Sequence, residues 1–123
     1  MYENHVLLVE DSFITNLQLG ESLKDSGFAV VSVYCGRTAL AAIRRHPPWA
    51  LITDLDLGTG PTGFDVARFA RSVDPDMTVI YISGHVGDRY PREGVTPSCF
   101  IAKPLRGSQL VAALGGAFHD VAA

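Results

Sequence analysis

Four short apolar runs in this chain each lead into polar side chains that could do chemistry. HVLLV leads into Glu10 and Asp11, WALIT into Asp54, TVIYI into Ser83 and CFIA into Lys103. In an open parallel α/β sheet, the carboxyl ends of the strands border one crevice, and ligands bind in that crevice. Three acids, a hydroxyl and a lysine would then converge there. Such a set suits a cation together with a phosphoryl group.

The acids are candidates for metal binding and for nucleophilic attack. Mg²⁺ prefers oxygen ligands and usually takes one or two carboxylates plus a substrate phosphate. Asp11 and Asp54 could bind it directly and Glu10 through water, which would offset the repulsion between clustered anions and a phosphate. A carboxylate can also form an aspartyl-phosphate, and Asp54 is the better candidate because it stands alone at the end of a central strand. Lys103 would neutralise one phosphoryl oxygen, and the Ser83 hydroxyl would hydrogen-bond another.

The composition is that of one globular domain. A length of 123 residues with 47% hydrophobic side chains fits a single domain over 1–123 with a real core. The net charge of −3 and the scattered basic residues argue against direct nucleic-acid binding. No apolar run is long enough for a membrane span, and no signal peptide is evident. Cys35 and Cys99 lack metal-ligand spacing and are interpreted as small buried hydrophobes, so we expect a cytoplasmic protein.

Strand-like and helix-like segments alternate along the whole chain. The strand candidates are short and apolar with little alternation, which is typical of strands covered on both faces. They lie at about residues 5–10, 28–33, 49–54, 77–82 and 98–102. The intervening helical segments stop at Gly27, at Pro47 and at Asp74 with Pro75. This βα alternation predicts an α/β fold with a doubly wound parallel sheet.

The helical patterns differ in strength. Val66, Phe69, Ala70 and Val73 follow the i, i+3, i+4, i+7 rule cleanly. The first helix has a weaker pattern, made by two pairs of residues: Phe13 with Leu17, and Leu19 with Leu23. The last helix has Gly115 and Gly116 in its interior, which predicts fraying or a bend after Leu114.

The segment between the fourth and fifth strands breaks the alternation. Residues 84–98 should hold the fourth helix, but they contain three glycines and two prolines and few apolar residues. We expect that helix to be short, distorted or mobile. We also expect a cis peptide bond between Lys103 and Pro104 that aims the lysine inward.

Taken together, these motifs resemble the receiver domain of response regulators in two-component signalling, of the chemotaxis-regulator type. HVLLVED resembles the first strand with its acidic pair, and TDLDLGTGPTGFDVA resembles the segment with the phosphoacceptor aspartate. YISG resembles the strand with the hydroxyl residue, and CFIAKP resembles the last strand with its lysine and proline. The resemblance covers about residues 4–119. It implies a flavodoxin-like five-stranded sheet of order 2-1-3-4-5.

The resemblance also implies a role for each site residue. Asp54 would be the phosphoacceptor, with Asp11, Asp54 and the backbone carbonyl of Asp56 as direct Mg²⁺ ligands and Glu10 acting through water. Ser83 and Lys103 would contact the phosphoryl group. On phosphorylation, Ser83 would move toward that group and Phe100 would repack inward as the aromatic switch residue.

The function implied is a phosphorylation switch and not an enzyme acting on other substrates. Its partners would be a histidine kinase or phosphotransfer protein and a downstream protein target. A second copy of the domain is a further candidate partner, in a dimer. One alternative is a pseudo-receiver that binds partners without being phosphorylated. A more remote one is a haloacid-dehalogenase-type phosphatase, because Asp54-Leu-Asp56 resembles its DxD motif. That motif should follow the first strand, however, and its acid pair should come late in the chain.

Overall fold

The computed structural model of the protein describes residues 5–84 and 93–122, with side chains described up to residue 115. Its sheet has five strands in the order β2-β1-β3-β4-β5, and all neighbouring pairs are parallel. The strands are β1 (His5–Val9), β2 (Ala29–Val33), β3 (Ala50–Asp54), β4 (Thr78–Ser83) and β5 (Cys99–Ala102). The predicted fold class and strand order are therefore confirmed, with each strand boundary within one residue of its expected place.

Helices alternate with these strands. They are α1 (Phe13–Asp25), α2 (Gly36–Arg45), α3 (Gly63–Val73) and a C-terminal helix (Gly107–Ala122). The last of these continues through Gly115 and Gly116 as one helix. Within the described part of the chain, no helix combines the length and the apolar character needed to cross a membrane.

Local side-chain chemistry starts and stops the helices at the expected places. The Ser12 side chain caps α1 by accepting a hydrogen bond from the Thr15 N–H. Thr62 and Asp65 form a reciprocal capping box at the start of α3. Gly27, just beyond α1, has φ +99°, a left-handed conformation that glycine adopts without strain. The Ser12 and Thr62 caps fix where the loops after β1 and β3, at the carboxyl edge of the sheet, give way to α1 and α3.

The sheet divides the core into two clusters. One cluster packs between the sheet and helices α2 and α3 and includes Leu7, Leu51, Phe64 and Tyr81. The other packs against α1 and the C-terminal helix. Strands β1 and β3 are buried throughout, whereas the edge strands β2 and β5 have exposed residues. The expectation that every strand is covered on both faces is therefore wrong for the two edges.

The buried face of helix α1 agrees only in part with the pattern predicted from the sequence. Phe13 and Leu17 are 64% and 51% exposed, so the first of the two residue pairs in the predicted helical pattern does not lie on the buried face. The buried stripe consists of Asn16, Leu19, Gly20 and Leu23, which are spaced i, i+3, i+4, i+7. Two members of that stripe are not hydrophobic, which explains why the sequence pattern was weak.

Two smaller expectations also fail. Val73, in the last turn of α3, is 42% exposed and does not complete the predicted apolar stripe. Cys99 is exposed and Cys35 is only partly covered, so the cysteines are not buried hydrophobes. Both are free thiols.

The segment that leads into β5 is tied to α3. The prediction of a degraded helix over 84–98 falls largely on residues 85–92, which lie outside the described residues. Just after them, the Arg68 Nη1 donates to the Glu93 carbonyl at 3.1 Å, and the Arg71 Nη1 donates to the Thr96 carbonyl at 3.1 Å. The Val95 N–H donates to the Tyr81 hydroxyl at 2.9 Å. These bonds fix the approach to β5 and hence to the lysine at its end.

Candidate functional site

Two buried carboxylates and a lysine meet at the carboxyl edge of the sheet. Lys103 Nζ lies 2.8 Å from Asp54 Oδ2 and 2.6 Å from Glu10 Oε1. Asp54 is only 4% exposed, and Glu10 is fully buried. The three side chains come from the ends of β1, β3 and β5, as the convergence argument predicted. The Lys103–Pro104 peptide bond is cis, as expected.

The acids form a cluster whose chemistry fits a hard divalent cation. Carboxylate oxygens of Glu10, Asp11 and Asp54 lie within 4.8 Å of one another, and Asp11 is exposed at the mouth. Glu10 Oε1 is buried and makes no well-aligned hydrogen bond, although it faces the lysine ammonium. A set of carboxylate oxygens is what Mg²⁺ prefers. The residues present therefore fit the expected metal.

The other predicted residues lie around this cluster. The Asp56 N–H donates to Asp54 Oδ1 at 3.1 Å, so it orients the carboxylate. Ser83 is buried at the end of β4, and its carbonyl accepts a hydrogen bond from the Lys103 N–H at 2.8 Å. Phe100 is partly buried on β5, pairs with Tyr81 and packs against the α2–α3 cluster. The carbonyl role of Asp56 and the switch roles of Ser83 and Phe100 stay predictions.

Three positioning features were missed from the sequence. The buried Asn16 amide donates to the carbonyls of Glu10 and Val33 at 3.0 Å each, which ties α1 to the ends of β1 and β2. Gly63 lies so close to the loop after β3 that a Cβ there would collide with the Asp54 carbonyl oxygen. The Thr53 hydroxyl donates to that same carbonyl at 2.9 Å. A polar residue inside the apolar spacing of α1 was the one available signal for Asn16.

The pKa values of Glu10 and Lys103 are both raised in the folded protein. The shift favours the neutral form of the acid and the charged form of the lysine. Burial raises the pKa of Glu10, and nearby Asp11 and Asp54 add to that, although Lys103 and the Ser12 N–H partly oppose the shift. Burial disfavours the charged form of Lys103, but the carboxylates of Asp54 and Glu10 outweigh it and raise the pKa of Lys103 above its ordinary value. The lysine is therefore a permanent cation at neutral pH.

The raised pKa of Glu10 predicts an unusual pH dependence of stability in metal-free protein. The folded state holds the Glu10 proton at pH values where the unfolded state, with a pKa of about 4.5, has released it. The resulting stabilisation is fully present below that value and is lost as the pH rises through the folded pKa. In the presence of a chelator, urea unfolding should show wild type gaining stability relative to Glu10→Gln as the pH falls from 7 toward 4.5.

The matched substitution makes this test specific. Glutamine preserves the shape of Glu10 but does not titrate, so the difference between the two proteins isolates this group. The titration of Asp65 does not affect this comparison between pH 7 and 4.5. Its hydrogen bond from the Thr62 N–H lowers its pKa below 3.8, so its own loss of stability comes at lower pH. A flat difference between pH 7 and 4.5 would contradict the raised pKa.

Comparison with known proteins agrees with this geometry. Residues 6–115 match the response regulator receiver domain, and the chain belongs to that family. The protein is a two-component response-regulator receiver domain with the five-stranded α/β architecture described above.

Individual relatives extend the comparison. The response regulator receiver protein CpdR of Brucella abortus is 29% identical over 79 residues, which is 64% of this chain and 65% of that protein's length. A receiver protein of Sinorhizobium medicae superposes with a TM-score of 0.89 at 33% identity, covering 94% of each chain. The chemotaxis protein CheY4 of Vibrio cholerae shares the fold, with a TM-score of 0.83 at 23% identity over 92% of this chain and 97% of its own.

Proposed function

We propose that this domain is a phosphoacceptor whose Asp54 takes a phosphoryl group from a phosphohistidine of a histidine kinase or phosphotransfer protein. The observation that carries the proposal is the Asp54 carboxylate itself. It is buried at the end of β3, held 2.8 Å from a lysine that is a cation at neutral pH and flanked by two further acids. A carboxylate in such a setting is a competent nucleophile for phosphoryl transfer.

The proposed transfer moves a phosphoryl group between two proteins. An oxygen of Asp54 attacks the phosphorus, a P–O bond forms, the P–N bond to the donor imidazole breaks, and that imidazole keeps the electron pair. The Asp56 N–H orients the carboxylate, since it donates to Asp54 Oδ1. Lys103 already faces Asp54 and supplies positive charge for the phosphoryl oxygens, so little reorganisation is needed.

Magnesium is the proposed cofactor. Glu10, Asp11 and Asp54 would hold it, with the Asp56 carbonyl as a further ligand, and it would offset the charge between the acids and the incoming phosphate. The chain's own residues hold the acids ready for it. The Ser12 N–H donates to Glu10 Oε2 at 2.9 Å, and Asn16 fixes the Glu10 backbone.

The proposed output is a change in partner binding and not a reaction on another substrate. A phosphoryl group on Asp54 would add acceptor oxygens near Ser83, which is buried at the end of β4. Ser83 and Phe100 are the proposed movable residues, and the surface around β4, β5 and the C-terminal helix would present the change to a downstream protein. The only activities proposed are self-phosphorylation and self-dephosphorylation, in the cytoplasm.

A direct test uses intact-protein mass spectrometry. Wild-type protein incubated with a small-molecule phosphodonor such as acetyl phosphate and Mg²⁺ should gain the mass of one phosphoryl group, and a chelator should prevent that gain. The modification should be released by hydroxylamine, as an acyl phosphate is. If folded protein gains no mass with small donors or with a phosphorylated histidine-containing protein, the domain is instead an interaction module that works unphosphorylated.

A further inference from the structure

The outer edge of β2 is an unprotected strand edge. β2 is first in the strand order, and no described strand pairs with its far side. Natural proteins usually guard such an edge with lysine, proline, a bulge or a covering segment. The sequence of β2 is AVVSV, which has no charge and no proline and has three β-branched valines. This composition favours pairing with another strand.

The ladder with β1 shows which backbone groups of β2 face outward. The Glu10 N–H donates to the Val33 carbonyl, and Val33 pairs with Val9 in parallel register. Alternate residues of a strand point their N–H and C=O groups to the same side, so Val33, Val31 and Ala29 face β1. The N–H and C=O groups of Val30 and Ser32 therefore point away from the sheet. Two donors and two acceptors lie along this edge, with Val31 between them.

Open grooves border this edge on both faces of the sheet. On the α2 face, a cleft of about 340 Å³ is lined by residues that include Leu7, Val31 and Ala42. On the α1 face, a groove of about 430 Å³ is lined by residues that include Leu17 and Tyr34. An incoming strand would find room for its side chains on both faces.

Exposed apolar side chains concentrate on β2 and on the chain segments next to it. Of the six large hydrophobic residues that are exposed in the described part of the chain, five lie on β2, directly after it or on the first half of α1: Phe13, Ile14, Leu17, Val31 and Tyr34. The rings of Phe13 and Tyr34 stack with centroids 6.1 Å apart, so part of this surface is preformed. A cluster of this kind on one side of a small domain marks an interaction surface.

We propose that this edge is a dimer interface, on which a second copy of the same chain adds its own β2 in antiparallel orientation about a twofold axis through Val31. The outward groups are self-complementary in that arrangement. Val30 of each copy exchanges two hydrogen bonds with Ser32 of the other, which gives four hydrogen bonds in all. Val31 then meets its symmetry mate as a non-hydrogen-bonded pair, with Cα atoms about 4.5 Å apart.

The chemistry of the edge selects a second copy as the occupant. In an isologous interface every residue meets its own patch, so a charged strand would place like charges opposite each other and would be destabilised. β2 has no charged residue, and its exposed large hydrophobic residue, Val31 at 41%, lies at the centre of symmetry. The two sheets would join into one of ten strands. Because Phe100 lies on β5 and Lys103 directly follows it, at the opposite edge of the sheet, their surroundings would stay free.

Engineered disulfide formation tests the register of this dimer. In the 123-residue protein with Cys35→Ser and Cys99→Ser, Val31→Cys should form an intermolecular disulfide under mild oxidation, since a Cα separation of about 4.5 Å allows one. Val73→Cys is the matched control, because Val73 is the same residue type and is 42% exposed on α3, away from this edge. We expect cross-linking at position 31 to be about tenfold faster, because association raises the local thiol concentration. Equal rates at the two positions would overturn the proposal.

Sedimentation equilibrium of the cysteine-intact protein supplies the second arm, with circular dichroism to confirm folding. Wild type should show a concentration-dependent monomer–dimer equilibrium, and Val31→Lys and Ser32→Pro should shift it to monomer. The proline removes one outward N–H and leaves the β1–β2 ladder intact, because Ser32 faces away from β1. Val73→Lys should dimerise like wild type. A monomeric wild type, or a dimer that survives both edge substitutions, would overturn the proposal.

Discussion

Asp54→Asn should abolish phosphorylation completely. The amide that replaces the carboxylate has no anionic oxygen to attack phosphorus, and no other described acid occupies the same place beside Lys103. Glu10 reaches the lysine too, but it is fully buried behind the acceptor, and Asp11 lies exposed at the mouth. The measurement is intact mass after incubation with a phosphodonor and Mg²⁺, with wild type in parallel.

The substitution is nearly isosteric, so the protein should stay folded. Asp54→Asn removes one of two carboxylates that share a single ammonium, and Lys103 keeps Glu10 as its partner. Asp25→Asn, at the exposed end of α1, is the control and should phosphorylate like wild type. A full phosphoryl gain in folded Asp54→Asn would show that the acceptor is another residue.

Lys103→Met should destabilise the folded protein strongly, because it removes the cation between two buried carboxylates. Methionine fills similar volume but leaves Glu10 and Asp54 facing each other without a counter-charge. Removing one partner of a buried ion pair is strongly destabilising, but Lys103 is 24% exposed, so solvent screens part of the effect. We expect a loss of about 2 kcal/mol in metal-free protein at neutral pH, measured by urea unfolding.

Two comparisons distinguish the loss of the Lys103 ion pairs from the effect of replacing any lysine by methionine. Lys24 is the only other lysine in the chain and is exposed in the last turn of α1, so Lys24→Met should change stability by no more than about 0.5 kcal/mol. Added Mg²⁺ should restore part of the stability of Lys103→Met, because a bound divalent cation would neutralise the same carboxylates. An equal, metal-independent change in both variants would contradict the role assigned to Lys103.

Sequence patterns were sufficient where the environment of a segment is uniform. The central strands β1 and β3 are buried on both faces, so their apolar runs end where the strands end. Helix α1 shows why patterns fail elsewhere. Its buried face includes Asn16, whose amide bonds to two carbonyls, and Gly20, which packs against the Leu8 and Ser32 side chains. Neither requirement shows in the hydrophobicity of the sequence, so the apolar pattern of this helix included the exposed Phe13 and Leu17 and left out Asn16 and Gly20.

The candidate site was predictable in composition but not in geometry. The strand-end positions of three residues predict that their side chains meet: Glu10, Asp54 and Lys103. Their pairing distances depend on the register of β5 and on the hydrogen bonds that Arg68 and Arg71 make to the segment before it. Gly63 beside the acceptor carbonyl likewise depends on the path of a loop. Such features depend on three-dimensional approach, for which a single sequence carries no periodic signal.

The ion cluster of Lys103 with Glu10 and Asp54 also has a consequence for folding. Its members come from β1, β3 and β5, and the Asp54–Lys103 contact alone spans 49 residues of sequence. Contacts this distant form only after the intervening chain has closed its loops, so the cluster belongs to the globally cooperative unit and not to a local one. We therefore expect the proposed phosphorylation of Asp54 to depend on the integrity of the whole sheet. A remote core substitution that frays β5 should prevent that proposed phosphorylation without contacting Asp54.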